Sequence, residues 1–227
     1  MTAPTPTLAR TAGALYLLLI ACGVGSEGLV RSSLSVPGDA AATAANVIAH
    51  GTALRWSILA DVVMALADVG LGVVLLMLLW RVGSGLAIAA TAFRLVQASV
   101  LGLNLSFLMA ALPLATMDGG QPLAALALEL HGVGYDLGLF FFGVNSLLTG
   151  VLLSRAGFPR WISAGLAAAG VVYLTGSTLT VVAPLLGDAF APAYVVPLLS
   201  ELAVALWLIV RAPAPGIQQQ GGTLQPA

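Results

Sequence analysis

The chain has 227 residues; 59% are apolar, 7% are charged, and its mean hydropathy is +1.04. A soluble domain carries about 25% charged residues and needs them to cover its surface, so this composition excludes a water-soluble globule and points to a polytopic membrane protein with lipid around most of its exterior. The basic residues are all arginine and the net charge is −1, which excludes a basic face for nucleic acid; the single cysteine, Cys22, excludes an internal disulfide and a cysteine-based metal cluster.

In chain order, six stretches are long and apolar enough to cross a bilayer, which takes about 20 residues of helix. They run over residues 11–31, 54–80, 86–114, 123–153, 161–183 and 192–211. "SVPGDAAATAAN", "RVGSG", "MDGGQP", "RAGFPR" and "LLGDAFAP" separate them. Short connections place sequence neighbours antiparallel. The first connection, Ser32 to Ala53, is longer. Within it "DAAATAANVIAH" opens on Asp39 after Pro37 and Gly38, the pattern of an N-capped helix, and predicts a short interfacial helix on the outer side. Residues 1–211 are therefore expected to form one six-span domain. The segment 212–227, "APAPGIQQQGGTLQPA", reads as a disordered cytoplasmic tail.

Arginine placement sets an expected orientation. With the N-terminus inside, Arg10, Arg81, Arg155, Arg160 and Arg211 all lie inside, and only Arg31 and Arg55 lie outside. That bias predicts a multi-pass protein of the bacterial inner membrane with both termini in the cytoplasm. "LIAC", ending at Cys22, resembles a lipoprotein cleavage box. The chain continues into "GVGSEGLV", which extends a helix-length segment, so a span is expected there instead. No repeat relates the two halves, which weighs against an inverted-repeat transporter.

The informative residues are the polar ones inside the spans. The second span carries Asp61 and Asp68, seven apart and so on one helix face; the third carries Arg94, Gln97 and Asn104 on one face. The fourth, "LELHGVGYDLGLFFFG", carries Glu129 and Asp136 on one face and His131 with Tyr135 on nearly the opposite one, a pattern that suits a central helix with neighbours all round. Glu201 stands in the sixth span. A charge at mid-bilayer costs about 2.5–3.5 kcal/mol on insertion scales. These groups are therefore expected to face the interior, and Arg94, the lone base deep in the core, to pair with Asp68 or Asp136. Glycines 132, 134 and 138 in the fourth span read as places of close helix approach.

Much chemistry is excluded. There is no phosphate-binding glycine loop, no H-E-x-x-H and no G-x-S-x-G. Two histidines at different depths cannot hold a stacked haem pair, and no three-histidine zinc site is possible; neither a metal nor a cofactor is expected. Asp61 and Asp68 stand about 10 Å apart along one helix, too far for a hydrolytic dyad.

The stretches "RTAGALYLLLIACGVGSEGLVRSSLSVPGDAAATAANV", "AFRLVQASVLGLNL", "LHGVGYDLGLFFFG" and "GFPRWI" together resemble the bacterial domain-of-unknown-function family 4386, over nearly the whole chain from Arg10 to Arg211. The resemblance implies a six-span integral membrane protein and carries no activity or catalytic residue. It places Glu27, Arg31, Arg94, Gln97, Asn104, His131 and Tyr135 within the family's motifs.

The expected fold is thus an all-α bundle of six membrane spans. The expected function is non-enzymatic: binding or transport of a small polar or cationic ligand, or of protons, in an outward-facing acidic cavity. The candidate site comprises Asp61, Asp68, Arg94, Gln97, Asn104, Glu129, His131, Tyr135, Asp136 and Glu201. The expected partners are the lipid bilayer and a small-molecule ligand, with no nucleic acid. Two alternatives stand beside this reading. One is a structural or accessory subunit whose polar residues only specify packing. The other is an intramembrane enzyme on a lipid-like substrate, with His131 and a carboxylate as acid and base.

Overall fold

The structure, a computed structural model, describes residues 6–211. The tail expected to be disordered, 212–227, lies outside the described residues. The described chain is helical: α1 (Pro6–Leu29), α2 (Ala40–Ala49), α3 (Gly51–Leu79), α4 (Ser84–Ala115), α5 (Gln121–Arg155), α6 (Arg160–Val182), α7 (Pro184–Phe190) and α8 (Val195–Val210). Single 3₁₀ turns at Arg31–Ser33 and Ala191–Tyr194 extend α1 and lead into α8. Six of these segments are long and apolar enough to span a membrane: Pro6–Ser33, α3, α4, α5, α6 and Ala191–Val210. The molecule is an all-α, multi-pass membrane protein with a short helix between the first two spans, as the composition and breaker residues foretell.

The spans are arranged in chain order around a ring. α1 packs against α3, α3 against α4, α4 against α5, α5 against α6, α6 against α8, and α8 closes back on α1. Short connections enforce antiparallel neighbours. The interior is filled by side chains from all six walls. Because α5 is one wall of this ring, it is not the central helix that its two polar faces predict. Its outer face carries Leu126, Leu130, Val133 and Leu137, all exposed.

Two apolar clusters bracket the middle of the ring. At one end Leu71, Leu75, Leu152, Leu153, Ile162 and Leu166 meet; at the other Leu34, Val47, Leu54, Leu105 and Leu108 do. The polar side chains sit between them. Full burial of such a side chain is worth about 1.5–3 kcal/mol against water. In lipid that driving force is absent, and close packing and hydrogen bonds between helices must hold the ring instead.

The helix α2 forms as its sequence predicts: the Asp39 side chain accepts the Ala42 N–H at 2.9 Å and caps it. Its placement differs from that of a free interfacial helix. Ala44 and Val47 are buried against Leu105, Leu108, Ala124 and Ala127, so α2 closes one end of the bundle over α4 and α5. The connection "LLGDAFAP" also holds more structure than a turn. Ala183, with φ −154 and ψ 70, ends α6, and Pro184 then starts the seven-residue α7.

Candidate functional site

Two arginine–carboxylate layers stack along the interior. The first lies near the α2 end. The Arg31 guanidinium donates through Nε to Glu27 at 2.8 Å, one helical turn away, and through Nη1 to Asp61 of α3. Arg31 and Asp61 are buried, whereas Glu27 reaches the surface, its side chain 64% exposed. Ser26 donates to the Ser57 carbonyl at 3.1 Å and ties α1 to α3 beside them. On the α4–α5 wall of the same end, Asn104 Nδ2 donates to the His131 carbonyl at 2.8 Å and contacts His131 Nδ1 at 3.0 Å. An Nδ1 that accepts from Asn104 leaves the ring proton on Nε2, and Nε2 is buried without a partner.

Gly134 makes this contact possible. A Cβ at that position would run into the Asn104 amide oxygen. The motif "HGVGYD" therefore serves a close α4–α5 approach as its glycines suggest, with the specific purpose of seating Asn104 over the His131 backbone.

The second layer lies deeper. Arg94 is 0% exposed and donates through Nε to Asp68 Oδ1 at 3.1 Å. Of the two partners the sequence allows, Asp68 is the one the structure selects. The guanidinium is flanked by two aromatic rings, Tyr16 at 5.3 Å and Phe142 at 5.1 Å, a cation–π arrangement that favours Arg where water is excluded. Beside it the Tyr173 hydroxyl donates to Glu201 at 2.7 Å. Tyr16 comes from α1, Asp68 from α3, Arg94 from α4, Phe142 from α5, Tyr173 from α6 and Glu201 from α8. Each wall of the ring thus gives one side chain to this layer.

Tyr135 joins the layers. Its ring lies 6.3 Å from that of His131 and packs toward Tyr173. Gln97, one turn from Arg94 on α4, is buried at the same depth range with Oε1 unpartnered.

The ten sequence candidates therefore separate. Asp61, Asn104, His131 and Tyr135 belong to the first layer or its junction, and Asp68, Arg94 and Glu201 to the second, with Gln97 between. Asp136 is only half-buried and sits apart, beside Thr180 and Tyr194. Glu129 is exposed on the outer face of α5 among Leu126, Leu130 and Val133, so the structure does not bring it to the others. Helical periodicity placed Glu129 and Asp136 on a common face, but could not tell that a ring gives α5 an outward side. The interior seam also recruits Arg31, Glu27, Tyr16, Phe142 and Tyr173, which the sequence reading did not place in the site. The available signal was the presence of tyrosine hydroxyls in mid-span, where a polar tip requires a buried partner.

The layers are incompletely satisfied. Buried and without a hydrogen-bond partner are both Nη atoms of Arg94, Arg31 Nη2, Asp61 Oδ1, Asp68 Oδ2, Gln97 Oε1, Asn104 Oδ1 and His131 Nε2. Buried polar atoms are nearly always paired, and each exception calls for water, an ion or a ligand. Beside Arg94 a void of about 10 Å³, close to the size that takes one water, is lined mostly by apolar residues such as Leu75, Leu79 and Leu152, with Arg94, Thr91, Asn145 and Thr149 as its polar lining. The open groove at the α2 end, by contrast, is lined by none of the ten candidates and has Arg55 as its charged residue. The outward-facing cavity expected to be acidic is therefore not that groove; the acids line an interior seam. Among the described residues, no group of three or more histidine, cysteine, aspartate or glutamate side chains is placed to hold a metal ion.

Fold and site define a class: a six-span membrane protein with a charge-paired, partly unsatisfied interior. The profile of the family described as Domain of unknown function (DUF4386) matches residues 11–212, nearly the whole chain, and the protein belongs to that family. No curated protein and no solved structure matches it.

Proposed function

We propose that this protein binds or transports a small polar or cationic solute, or protons, along the seam between its two arginine layers. The unpartnered buried atoms carry this reading: they belong to both layers and to the residues between them. The seam holds four carboxyls, Glu27, Asp61, Asp68 and Glu201, against two guanidiniums, Arg31 and Arg94, and that surplus of acid favours a cation or proton over an anion. Glu27 is the exposed end of the seam, and Tyr135 lies between its halves, its ring beside those of His131 and Tyr173. The intramembrane-enzyme alternative has less support, since the polar partner of His131 is Asn104 and not a carboxylate.

The test is thermal unfolding in detergent of wild type, Arg94→Leu and His131→Ala, against a panel of ions, small metabolites and pH values. A solute that stabilises wild type and neither variant is the expected result. If nothing in the panel shifts wild type while Arg94→Leu lowers stability in every condition, the seam is packing alone and the accessory-subunit reading replaces this one.

The proposed setting is the bacterial inner membrane with both termini in the cytoplasm. Its support is the arginine bias, because Arg81, Arg155, Arg160 and Arg211 fall at one end of the bundle and Arg31 and Arg55 at the other. Reporter fusions after Arg81 and after Thr116 should report inside and outside respectively; the reverse pattern would invert the orientation.

A further inference from the structure

The groove at the α2 end plays no part in the seam, and its chemistry is different. It has a volume of about 700 Å³, within the roughly 300–1,000 Å³ of small-molecule sites. Its floor and walls are apolar: Leu54 and Leu108 are buried at its base, and Ile58 and Met109 rise beside them. Its rim is polar, with Thr52, Arg55 and Thr116.

The rim takes its sign from Arg55. Arg55 is exposed, and among the described residues no carboxylate lines the groove and the ion pairs at Arg31 and Arg94 leave Arg55 out. Gly51 and Thr52, at the start of the 29-residue α3, line the same groove, where α2 and α4 also end, so the opposed helix ends offset one another and Arg55 supplies the positive charge. Pro113 has no N–H for the Met109 carbonyl one turn earlier, and both residues line the groove, which leaves an acceptor for a hydroxyl. Trp56, 66% exposed beside Arg55, marks the level as a membrane–water boundary.

An apolar trough between two spans, topped at the boundary by an exposed arginine and hydroxyls, fits an amphiphile with a negative head. We infer that the α3–α4 groove is a binding site for an anionic phospholipid: Arg55 takes the phosphodiester as a forked pair, the rim groups meet the headgroup hydroxyls, and one acyl chain lies along Ile58 and Met109. A phosphate without a chain would leave the apolar trough empty. A chain without a negative head would leave Arg55 unpaired.

The inference is tested on the purified full chain in neutral detergent, with native mass spectrometry and thermal unfolding as readouts. The probes are phosphatidylglycerol, phosphatidylcholine and glycerol 3-phosphate, applied to wild type, Arg55→Gln and Thr52→Trp. Arg55 and Thr52 are both exposed, so neither change should unfold the bundle. Phosphatidylglycerol is expected to bind wild type and to raise its unfolding temperature more than phosphatidylcholine does. Arg55→Gln should bind it at least about tenfold more weakly, from the loss of a charge-assisted bond. Thr52→Trp, which fills the groove and keeps the charge, should weaken it likewise. Equal phosphatidylglycerol binding by wild type and Arg55→Gln would mean an unselective lipid belt and would overturn the site. Arg55-dependent binding of glycerol 3-phosphate as tight as that of the lipid would overturn the phospholipid in favour of a free anion.

Discussion

The two arginines of the interior do the same electrostatic work in different surroundings. Arg31 sits near the end of the bundle with two carboxylates, and one of these, Glu27, is in reach of solvent. Arg94 sits in mid-ring with one carboxylate and two aromatic faces, wholly buried. Where water can assist, the chain neutralises a guanidinium with a second acid. Where it cannot, the positive charge is spread over π faces, and both Nη atoms are left unpartnered where Arg31 leaves one. The deeper layer also draws on every span, whereas the outer ion pair joins only α1, its 3₁₀ extension and α3. Arg94 therefore locks the ring, and Arg31 fastens one seam of it.

The sharpest way to break this contrast is to remove each cation. Arg94→Leu strands Asp68 in the core and is expected to cost about 3–5 kcal/mol of stability. Arg31→Gln also leaves a buried acid, Asp61, but one close enough to the bundle end to be rehydrated. A loss of about 1.5–3 kcal/mol, the range for a charged hydrogen bond, is expected there. Denaturation of both variants in one detergent reads the difference; equal losses would show that depth in the ring makes no distinction. The double change Arg94→Leu with Asp68→Leu sharpens the same point. It should recover most of the single variant's loss, because the stranded charge and not the missing contact carries the cost.

A smaller effect is expected at the α4–α5 wall. Gly134→Ala forces its new methyl into Asn104 and should cost about 1–3 kcal/mol as local overpacking. Its signature is a loss of the Asn104–His131 contact, visible as a changed His131 ring resonance, with the Arg94 layer intact. An unchanged resonance would place Asn104 elsewhere in solution. The smallest effect is expected at Glu129. It faces outward among leucines, so Glu129→Gln should change stability by no more than about 0.5 kcal/mol. A large loss would mean that a neighbour covers this face of α5.

Particular residues show how far the sequence reaches. The six spans, the break at Pro37–Gly38, the Asp39 cap and the pairing of Arg94 with a carboxylate were all legible. Each follows from hydropathy, local turn chemistry or the cost of a lone buried charge. The same rules placed Asp61 with Asp68 and Arg94 with Asn104, because residues seven or ten apart on a helix share a face whatever surrounds it. They failed at Glu129, where two polar faces on α5 look alike from within the helix. They also passed over Tyr16 and Tyr173, whose hydroxyls look unremarkable until Arg94 and Glu201 stand beside them.

By itself, then, the sequence determined what kind of molecule this is and which residues cannot face lipid, since both depend on transfer energies that belong to the side chain and its depth. Only the tertiary structure decided which of those residues meet. Ring closure, with α8 against α1 and α5 as a wall, sets the second face of each helix. Which helix lies across the interior is fixed by the packing of all six spans together, which no stretch of chain encodes alone.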